Sequence, residues 1–333
     1  MWSLPQLPRT RTLKRIGLLT SGGDAPGMNA AIRAVVRTAL SRGIEVRGVQ
    51  KGYSGLVAGH WVDMDRASVA NILQTGGTAL KTDRCDAFHD PTVRADTAAR
   101  LRGAGLEALV VIGGDGSLSG AHLLEQETGF SVLGLPGTID NDIWGTEDTI
   151  GFDTAVNTAL EAIDRLRDTA TSHERVFLVE VMGRNSGFIA ATVGIAGGAE
   201  IVITPERPVD DETVLEALNL SQERGKHSSL IVVAEGEDPQ FINRLNEHLN
   251  AAGYQARACI LGHIQRGGSP TGHDRVLASC LGYAAVDHLQ AGLSNIMLGV
   301  QENRVLGVPL SEVISRRRQT PEALLEVARV LAT

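Results

Sequence analysis

The chain has 333 residues, 43% of them apolar and 21% charged, with a formal net charge of −8. That length exceeds one typical core and suits two α/β lobes, while the acidic balance excludes general nucleic-acid binding, since a polyanion needs a basic footprint. Cys85, Cys259 and Cys280 are widely spaced and form no CxxC pair, which excludes a disulfide framework, offers no zinc site and makes a reducing cytoplasm the expected location.

The opening segment 1–14 is basic, carries Pro5 and Pro8, and lacks the apolar centre of a signal peptide, so it reads as a disordered leader. No apolar run approaches the ~20 residues of a membrane helix. From residue 15 on, short apolar runs bounded by glycine alternate with helical patterns, the signature of βα units and a largely parallel sheet. The expected strands are Arg15–Thr20, Glu45–Val49, Ala108–Ile112, Val132–Leu135, Val176–Val181, Ile201–Thr204, Ser229–Ala234 and Ala256–Leu261. Between the first two, Ile32, Val35, Val36, Ala39 and Leu40 share one face of a helix over Met28–Leu40. No repeat and no Pro/Gly-rich linker marks a boundary.

Three glycine-rich turns follow strands. Ser21–Gly27 runs into the first helix, where free N–H groups and the helix dipole favour a phosphate; by itself this turn fits a plain βα connection equally well. Gly113-Gly114-Asp115-Gly116-Ser117 places an aspartate among glycines at a strand end, which suits a Mg²⁺ ligand beside phosphates more than a simple cap. Pro136–Asp142 holds Asp140 and Asp142, two carboxylates fitted for a general base and a helper, or for an Asp-rich surface turn. All three turns are expected on one edge of the sheet. In the later half, Met182-Gly183-Arg184, Glu235 and the run Gly262–Pro270, with His263 and Arg266, also follow strands, and Arg175 and Arg257 open two of them. Arginine forks match phosphate oxygens, and a carboxylate with a histidine can read sugar hydroxyls. The chain has no GxxxxGK[ST], no GxGxxG with a downstream acid, and no protein-kinase HRD and DFG set.

In this order, GGDAPGMNAAIR, GGDGS, PGTIDND, MGR and LGHIQRGGSP resemble the bacterial ATP-dependent 6-phosphofructokinases, from about Arg15 to about Val300. The resemblance implies two three-layer αβα Rossmann-like lobes with the active site in their cleft. One lobe, for ATP, would comprise 15–151 with about 265–315; the other, for the sugar phosphate, 152–264 with a helix at about 316–333. It implies phosphoryl transfer from MgATP to the 1-hydroxyl of fructose 6-phosphate, the committed step of glycolysis, in a cytoplasmic homotetramer. Gly23, Arg84, Cys85, Gly114, Asp115, Gly116 and Ser117 would contact ATP, with Asp115 engaging Mg²⁺. Thr138 and Asp140 would face the hydroxyl, Asp140 as base and Asp142 assisting, and Arg184 would stabilise the moving phosphoryl group. Met182, Gly183, Glu235, His263 and Arg266 would bind fructose 6-phosphate, and Arg175 and Arg257 would reach its phosphate from a neighbouring subunit.

The resemblance also implies an effector pocket, made of Arg33, Arg37, Arg66, Arg167, Glu200, Arg224 and Lys226 at a subunit interface, where ADP or GDP activates and phosphoenolpyruvate inhibits. Arg33 and Arg37 lie four apart on the first helix, so their side chains share a face, as a solvated basic stripe also would. Departures from the family pattern are Asp83, Asp86 and His89, which should weaken the positive field near ATP, and Trp144 in place of a lysine. Pyrophosphate-using relatives carry an aspartate at the position of Gly116 and a lysine at that of Gly137, so glycine at both points to ATP. A pyrophosphate-dependent enzyme and a silent sugar-phosphate-binding regulator are the alternatives on this fold; a NAD-dependent oxidoreductase lacks its fingerprint.

Overall fold

The computed structural model describes residues 2–173, 175–225, 228–236 and 238–331. In chain order the first elements are β1 (Arg15–Ser21), α1 (Met28–Ser41), β2 (Glu45–Val49), α2 (Gly52–Ala58), β3 (Trp61–Met64), α3 (Pro91–Gly103), β4 (Ala108–Gly113), α4 (Asp115–Thr128), β5 (Val132–Thr138) and β6 (Ile150–Gly151). Then come α5 (Phe152–His173), β7 (Val176–Val181), α6 (Phe188–Gly197), β8 (Ile201–Ile203), α7 (Asp211–Glu223), β9 (Ser229–Ala234), α8 (Phe241–Ala251) and β10 (Ala256–Ile260). The remainder is α9 (Gly272–Gln290), β11 (Ile296–Gln301), β12 (Arg304–Pro309), α10 (Leu310–Ser315) and α11 (Glu322–Leu331). No helix among the described residues is long and apolar enough to cross a membrane.

Two compact units result. The first comprises Met1–Ile139, Ile143–Asp153 and Arg266–Arg318; the second comprises Asp140–Asp142, Thr154–Gln265 and Gln319–Thr333. In the first, one sheet runs in the order β12-β11-β5-β4-β1-β2-β3, with β6 beside β5. The pairs β1–β2, β1–β4, β4–β5 and β5–β11 are parallel, whereas β2–β3 and β11–β12 are antiparallel. Strand β4 is buried along its whole length, as a central parallel strand covered on both faces must be. Opposite faces of β5 illustrate that cover: Gly134 abuts Leu118 of α4, and Gly137 abuts Met28 of α1. Each expected strand of this unit forms, and the α/β fold class holds, with mostly parallel sheets.

The sequence reading missed β3, the two-residue β6, β11 and β12. The β11–β12 hairpin turns on two residues in the left-handed region, Glu302 (φ 49°) and Asn303 (φ 60°). That is the geometry hairpin twist demands, but it lacks the Asn-Gly or Asp-Gly pair that usually announces it.

In the segment expected to be a disordered leader, residues 2–14 are instead tied to the first unit. Ser3 N–H donates to Asn303 O (2.8 Å) and Val305 N–H donates to Ser3 O (3.0 Å), which adds a bridge to the edge strand β12. Thr10 and Arg11 N–H both donate to Gln290 O at the C-terminus of α9, and the Arg11 guanidinium donates to Ser131 Oγ and Glu107 O. Edge strands and helix ends carry unpaired backbone groups. A polar segment with no core of its own can still satisfy them.

The second unit holds a parallel sheet in the order β10-β7-β9-β8. Val214, Leu218, Ile242, Leu245 and Leu249 of α7 and α8 cover one face, packing on Val176, Leu178, Ile231 and Val233. On the other face α6 comes close through glycine: a Cβ at Gly194 would stand 2.2 Å from Val202 Cγ2.

Helices α1 and α9 also meet through small residues. A Cβ at Gly282 would lie 2.7 Å from Ala34 Cβ and 2.9 Å from Ala31 O. Valine there gains a few tenths of a kcal/mol of helix propensity, against about 1–3 kcal/mol of overpacking. Gly282→Val is therefore expected to lower stability by about 1–3 kcal/mol in denaturant titration. Gly103→Ala in α3, where a Cβ meets nothing within 4 Å, should stabilise by about 0.4–1 kcal/mol.

Candidate active site

In the first unit three strand ends converge. β1 ends at Ser21, β4 at Gly113 and β5 at Thr138. A Cβ at Gly113 would sit 2.5 Å from Ser21 O and 2.6 Å from Ser117 Oγ, and one at Gly114 would sit 3.8 Å from Thr138 Cβ. Only the absence of a side chain lets the second turn press against its neighbours. Gly114 then caps α4 without a side-chain hydrogen bond, leaving the first N–H groups of a 14-residue helix available to an anion.

Asp115 and Gly116 at that helix start are exposed and Ser117 is buried. The turn rests on a fixed support, since Tyr53 Oη donates to Ser117 O at 2.6 Å; burial also pushes the Tyr53 phenol well above its ordinary range. Among the described residues no three acidic, histidine or cysteine side chains cluster as a metal site. One exposed carboxylate at a helix N-terminus still fits Mg²⁺, which commonly takes one or two carboxylates plus substrate phosphates and waters.

The first turn and Arg266 meet. Arg266 Nη1 donates to Asp24 O at 3.2 Å, and a Cβ at Gly23 would stand 2.7 Å from the same nitrogen. Gly23 thus gives the guanidinium room against the backbone. Arg84 is exposed and Cys85 half-buried, just before a short 3₁₀ turn at Asp86–His89. Asp83, Asp86 and His89 are exposed, so the charge of the two aspartates is screened by solvent. Trp144 gains a partner of its own: the Arg316 guanidinium lies 5.2 Å from its ring centroid.

In the second unit, Met182–Arg184, Glu235 and His263 follow the C-terminal ends of β7, β9 and β10, on one edge of the sheet. Asp140 is 4% exposed and Asn141 2%, while Asp142 is half-buried. Ser186 Oγ donates to Asp140 O (3.1 Å) and Ser186 N–H donates to Gly183 O (2.9 Å). This closes a tight turn in which Arg184 adopts φ 52°. A left-handed arginine costs about 1–3 kcal/mol, and its surroundings must hold it there.

Gln265, fully buried, supplies part of that hold: its Oε1 accepts from Met182 N–H (2.8 Å) and its Nε2 donates to Ala155 O (3.4 Å). Sequence reading quoted Gln265 without giving it a role. It also passed over Glu180 on β7, whose strand register sets it on the same face as Glu235. Burial, with the Glu235 charge adding to it, raises the Glu180 carboxyl above its usual range.

The sequence-predicted residues do not all gather. Arg175 and Arg257 stand at the openings of β7 and β10, the opposite edge from Met182 and His263. Six strand residues at ~3.3 Å each put roughly 20 Å between the two edges. Arg33 and Arg37 lie on α1, half-buried and exposed, and Arg66 is exposed after β3. Arg167 Nε donates to Gly197 O (2.9 Å) and its Nη2 to Gly198 O, capping the carbonyl end of α6 where a cation is favoured. Glu200 accepts from Leu230 N–H (2.6 Å), and Arg224 is exposed at the end of α7. Lys226 lies outside the described residues.

The profile of a family described as Phosphofructokinase matches residues 15–289. A Thermus thermophilus protein named ATP-dependent 6-phosphofructokinase 1 is 56% identical over 324 residues, covering 96% of this chain and 100% of that one. A Clostridium perfringens protein of the same name is 51% identical over 319 residues, covering 96% and 99%. Among solved structures, a phosphofructokinase from Saccharomyces cerevisiae superposes with a TM-score of 0.84 at 35% identity; the match covers 96% of this chain and spans 48% of the yeast chain. A pyrophosphate-dependent phosphofructokinase from Marinobacter aquaeolei, at 22% identity and a TM-score of 0.83 over 96% of this chain and 92% of that one, shares the fold.

Replacing Gln265 by leucine leaves Met182 N–H without its acceptor inside the protein. An unsatisfied buried donor costs about 1–3 kcal/mol. Gln265→Leu should lower the unfolding free energy by that amount, and Gln265→Glu, which keeps the accepting oxygen but buries a carboxylate facing Ala155 O, should lose at least as much; denaturant titration of both variants checks this.

Proposed function

This chain belongs to the phosphofructokinase family, and from that premise we propose that it transfers the γ-phosphoryl group of ATP to the 1-hydroxyl of fructose 6-phosphate. The observation carrying the reading is the close packing of the glycine-bearing strand ends Ser21–Gly22, Gly113–Gly114 and Thr138, which leaves the start of α4 open to phosphates. Gly23, Arg84, Cys85, Gly114, Gly116 and Ser117 bind the nucleotide. Asp115 holds Mg²⁺, and the bound ion supplies positive charge to the phosphate oxygens. Gly116 has nothing within 4 Å of where a Cβ would stand, so this side of the turn is open for the longer donor.

The chemistry needs alignment and charge more than covalent help. Asp140 takes the proton of the 1-hydroxyl as its oxygen bonds to the γ-phosphorus and the bond from that phosphorus to the ADP oxygen breaks. Thr138 and Asp142 orient the hydroxyl and the base. Arg184 neutralises charge on the transferring group, which its strained turn presents to solvent. Met182, Gly183, Glu235, His263 and Arg266 bind the sugar phosphate.

We read Arg175 and Arg257, at the far edge of their sheet, as ligands of the 6-phosphate of a neighbouring subunit in a cytoplasmic homotetramer, as the family resemblance implies. Arg33, Arg37, Arg66, Arg167, Glu200, Arg224 and Lys226 form the effector site for ADP, GDP or phosphoenolpyruvate, with Arg167 and Glu200 also serving as structural anchors of α6 and the β8 edge.

A coupled assay of fructose 1,6-bisphosphate formation, run with each donor in turn, should give faster turnover with MgATP than with pyrophosphate. Faster turnover with pyrophosphate overturns the donor assignment. In the same assay Asp140→Ser should lower kcat by about 10²–10⁴-fold with little change in either KM. A loss below about tenfold would transfer the role of base to Asp142.

A further inference from the structure

The turn that carries Arg184 ends at Gly187, which is also the N-cap residue of α6. Gly187 has no side chain with which to cap that helix, and Ser186 Oγ reaches Phe188 N–H only at 3.5 Å. A carboxylate from elsewhere in the second unit caps it: Glu206 Oε1 accepts from Gly187 N–H at 3.0 Å. The same oxygen accepts from Thr320 Oγ1 at 2.7 Å. Thr320 is buried, at 6% exposure, in the segment just before α11.

The other carboxylate oxygen, Oε2, is buried with no hydrogen-bond partner, and it lies 2.5 Å from where a Cβ at Gly187 would stand. Thr204 Cβ and Cγ2 crowd that same point at 2.7 and 2.8 Å. Glycine at 187 is therefore the condition for the contact, and the carboxylate is pressed onto the backbone it caps. Next in sequence, Arg207 pairs with Glu322 and, at 3.6 Å, with Glu326 of α11. Two adjacent residues thus bind the C-terminal segment, to which the sequence assigns no function, to the start of α6.

The geometry points to Glu206 as a positioning residue for phosphoryl transfer: with Thr320 as its second donor, it fixes Gly187 and so holds the Gly183–Gly187 turn that presents Arg184. The consequence for catalysis rests on the role of Arg184 given above; the mechanical claim does not. The physical case is that the turn is strained at Arg184 and exposed at Arg184 and Asn185. It is held before its start by Gln265 on Met182, and at its end by Ser186 on Asp140 O and by Glu206 on Gly187. Removing one of few anchors from a strained turn lets it relax, and a misplacement of about 1 Å at a reacting group can cost about 10²-fold in rate.

The test uses the full-length enzyme with Glu206→Ala, Glu206→Gln and Thr320→Val. Amide hydrogen exchange is followed over 183–190, with kcat and both KM values measured beside it. Glu206→Ala should raise exchange in that stretch at least about tenfold while β7 and β9 stay protected. It should lower kcat by about 10–100-fold and leave KM for ATP within about twofold. Glu206→Gln, which keeps the accepting oxygen, should restore kcat to within about threefold of wild type, and Thr320→Val should show a smaller loss in the same direction.

Should Glu206→Ala fail to fold, Thr320→Val carries the test, because it removes a single donor. Unchanged exchange over 183–190 overturns the clamp. Raised exchange with unchanged kcat overturns its role in the reaction. Arg184→Ser serves as the separate control: if it leaves kcat intact while exchange in Glu206→Ala rises, the assignment of Arg184 fails and the mechanical clamp stands.

Discussion

The first unit depends on how closely three strand ends can approach one another. At Gly113 a single added carbon would lie 2.5 Å from the backbone oxygen of Ser21, closer than a real Cβ comes to anything. Backbone cannot yield there without shearing the parallel β1–β4 register, in which Ser21 and Gly113 are direct partners. The glycine therefore decides whether the first turn, the start of α4 and Thr138 can lie side by side. The helix start follows from it: Gly114 leaves α4 uncapped by any side chain, and its free N–H groups become the anion-seeking feature of the edge.

In the second unit the controlling quantity is hydrogen bonding to a turn with little packing of its own. Arg184 occupies a left-handed conformation that disfavours any residue with a Cβ. The anchors of that turn come from Asp140, Gln265 and Glu206, which are distant in sequence. Gln265 is fully buried and its two bonds run to two different backbone segments. Satisfied polar groups of this kind specify geometry, because each alternative arrangement leaves a buried donor or acceptor unmet. The Glu180 carboxyl beside Glu235 adds an electrostatic feature to the same edge, with burial the larger cause of its raised proton affinity.

Elements with a strong local signal were legible in the sequence. β4 and β9 are uninterrupted apolar runs bounded by turn residues, and α1 keeps its apolar residues on one face. β3, with a half-exposed pattern over four residues, and the β11–β12 hairpin, with Glu302-Asn303 at its turn, carried weak signals and were missed. Residues 2–14 differ, for another reason, from the disordered leader expected there. Their order comes from carbonyls and N–H groups offered by β12 and α9, almost three hundred residues along the chain, and nothing in their own composition records them.

The same division runs through the candidate site. By itself the sequence determined which residue types stand at the strand ends: glycine, aspartate and arginine in short turns, whose chemistry is written in their side chains and in the conformations glycine permits. Tertiary structure alone decided what holds those turns in place. The bond between Met182 and Gln265 spans 83 residues, and that between Glu206 and Thr320 spans 114. A hydrogen bond forms only when donor and acceptor come within about 3.5 Å. For residues so far apart, that distance is set by the packing of sheets and helices between them, and no local pattern in the chain encodes it.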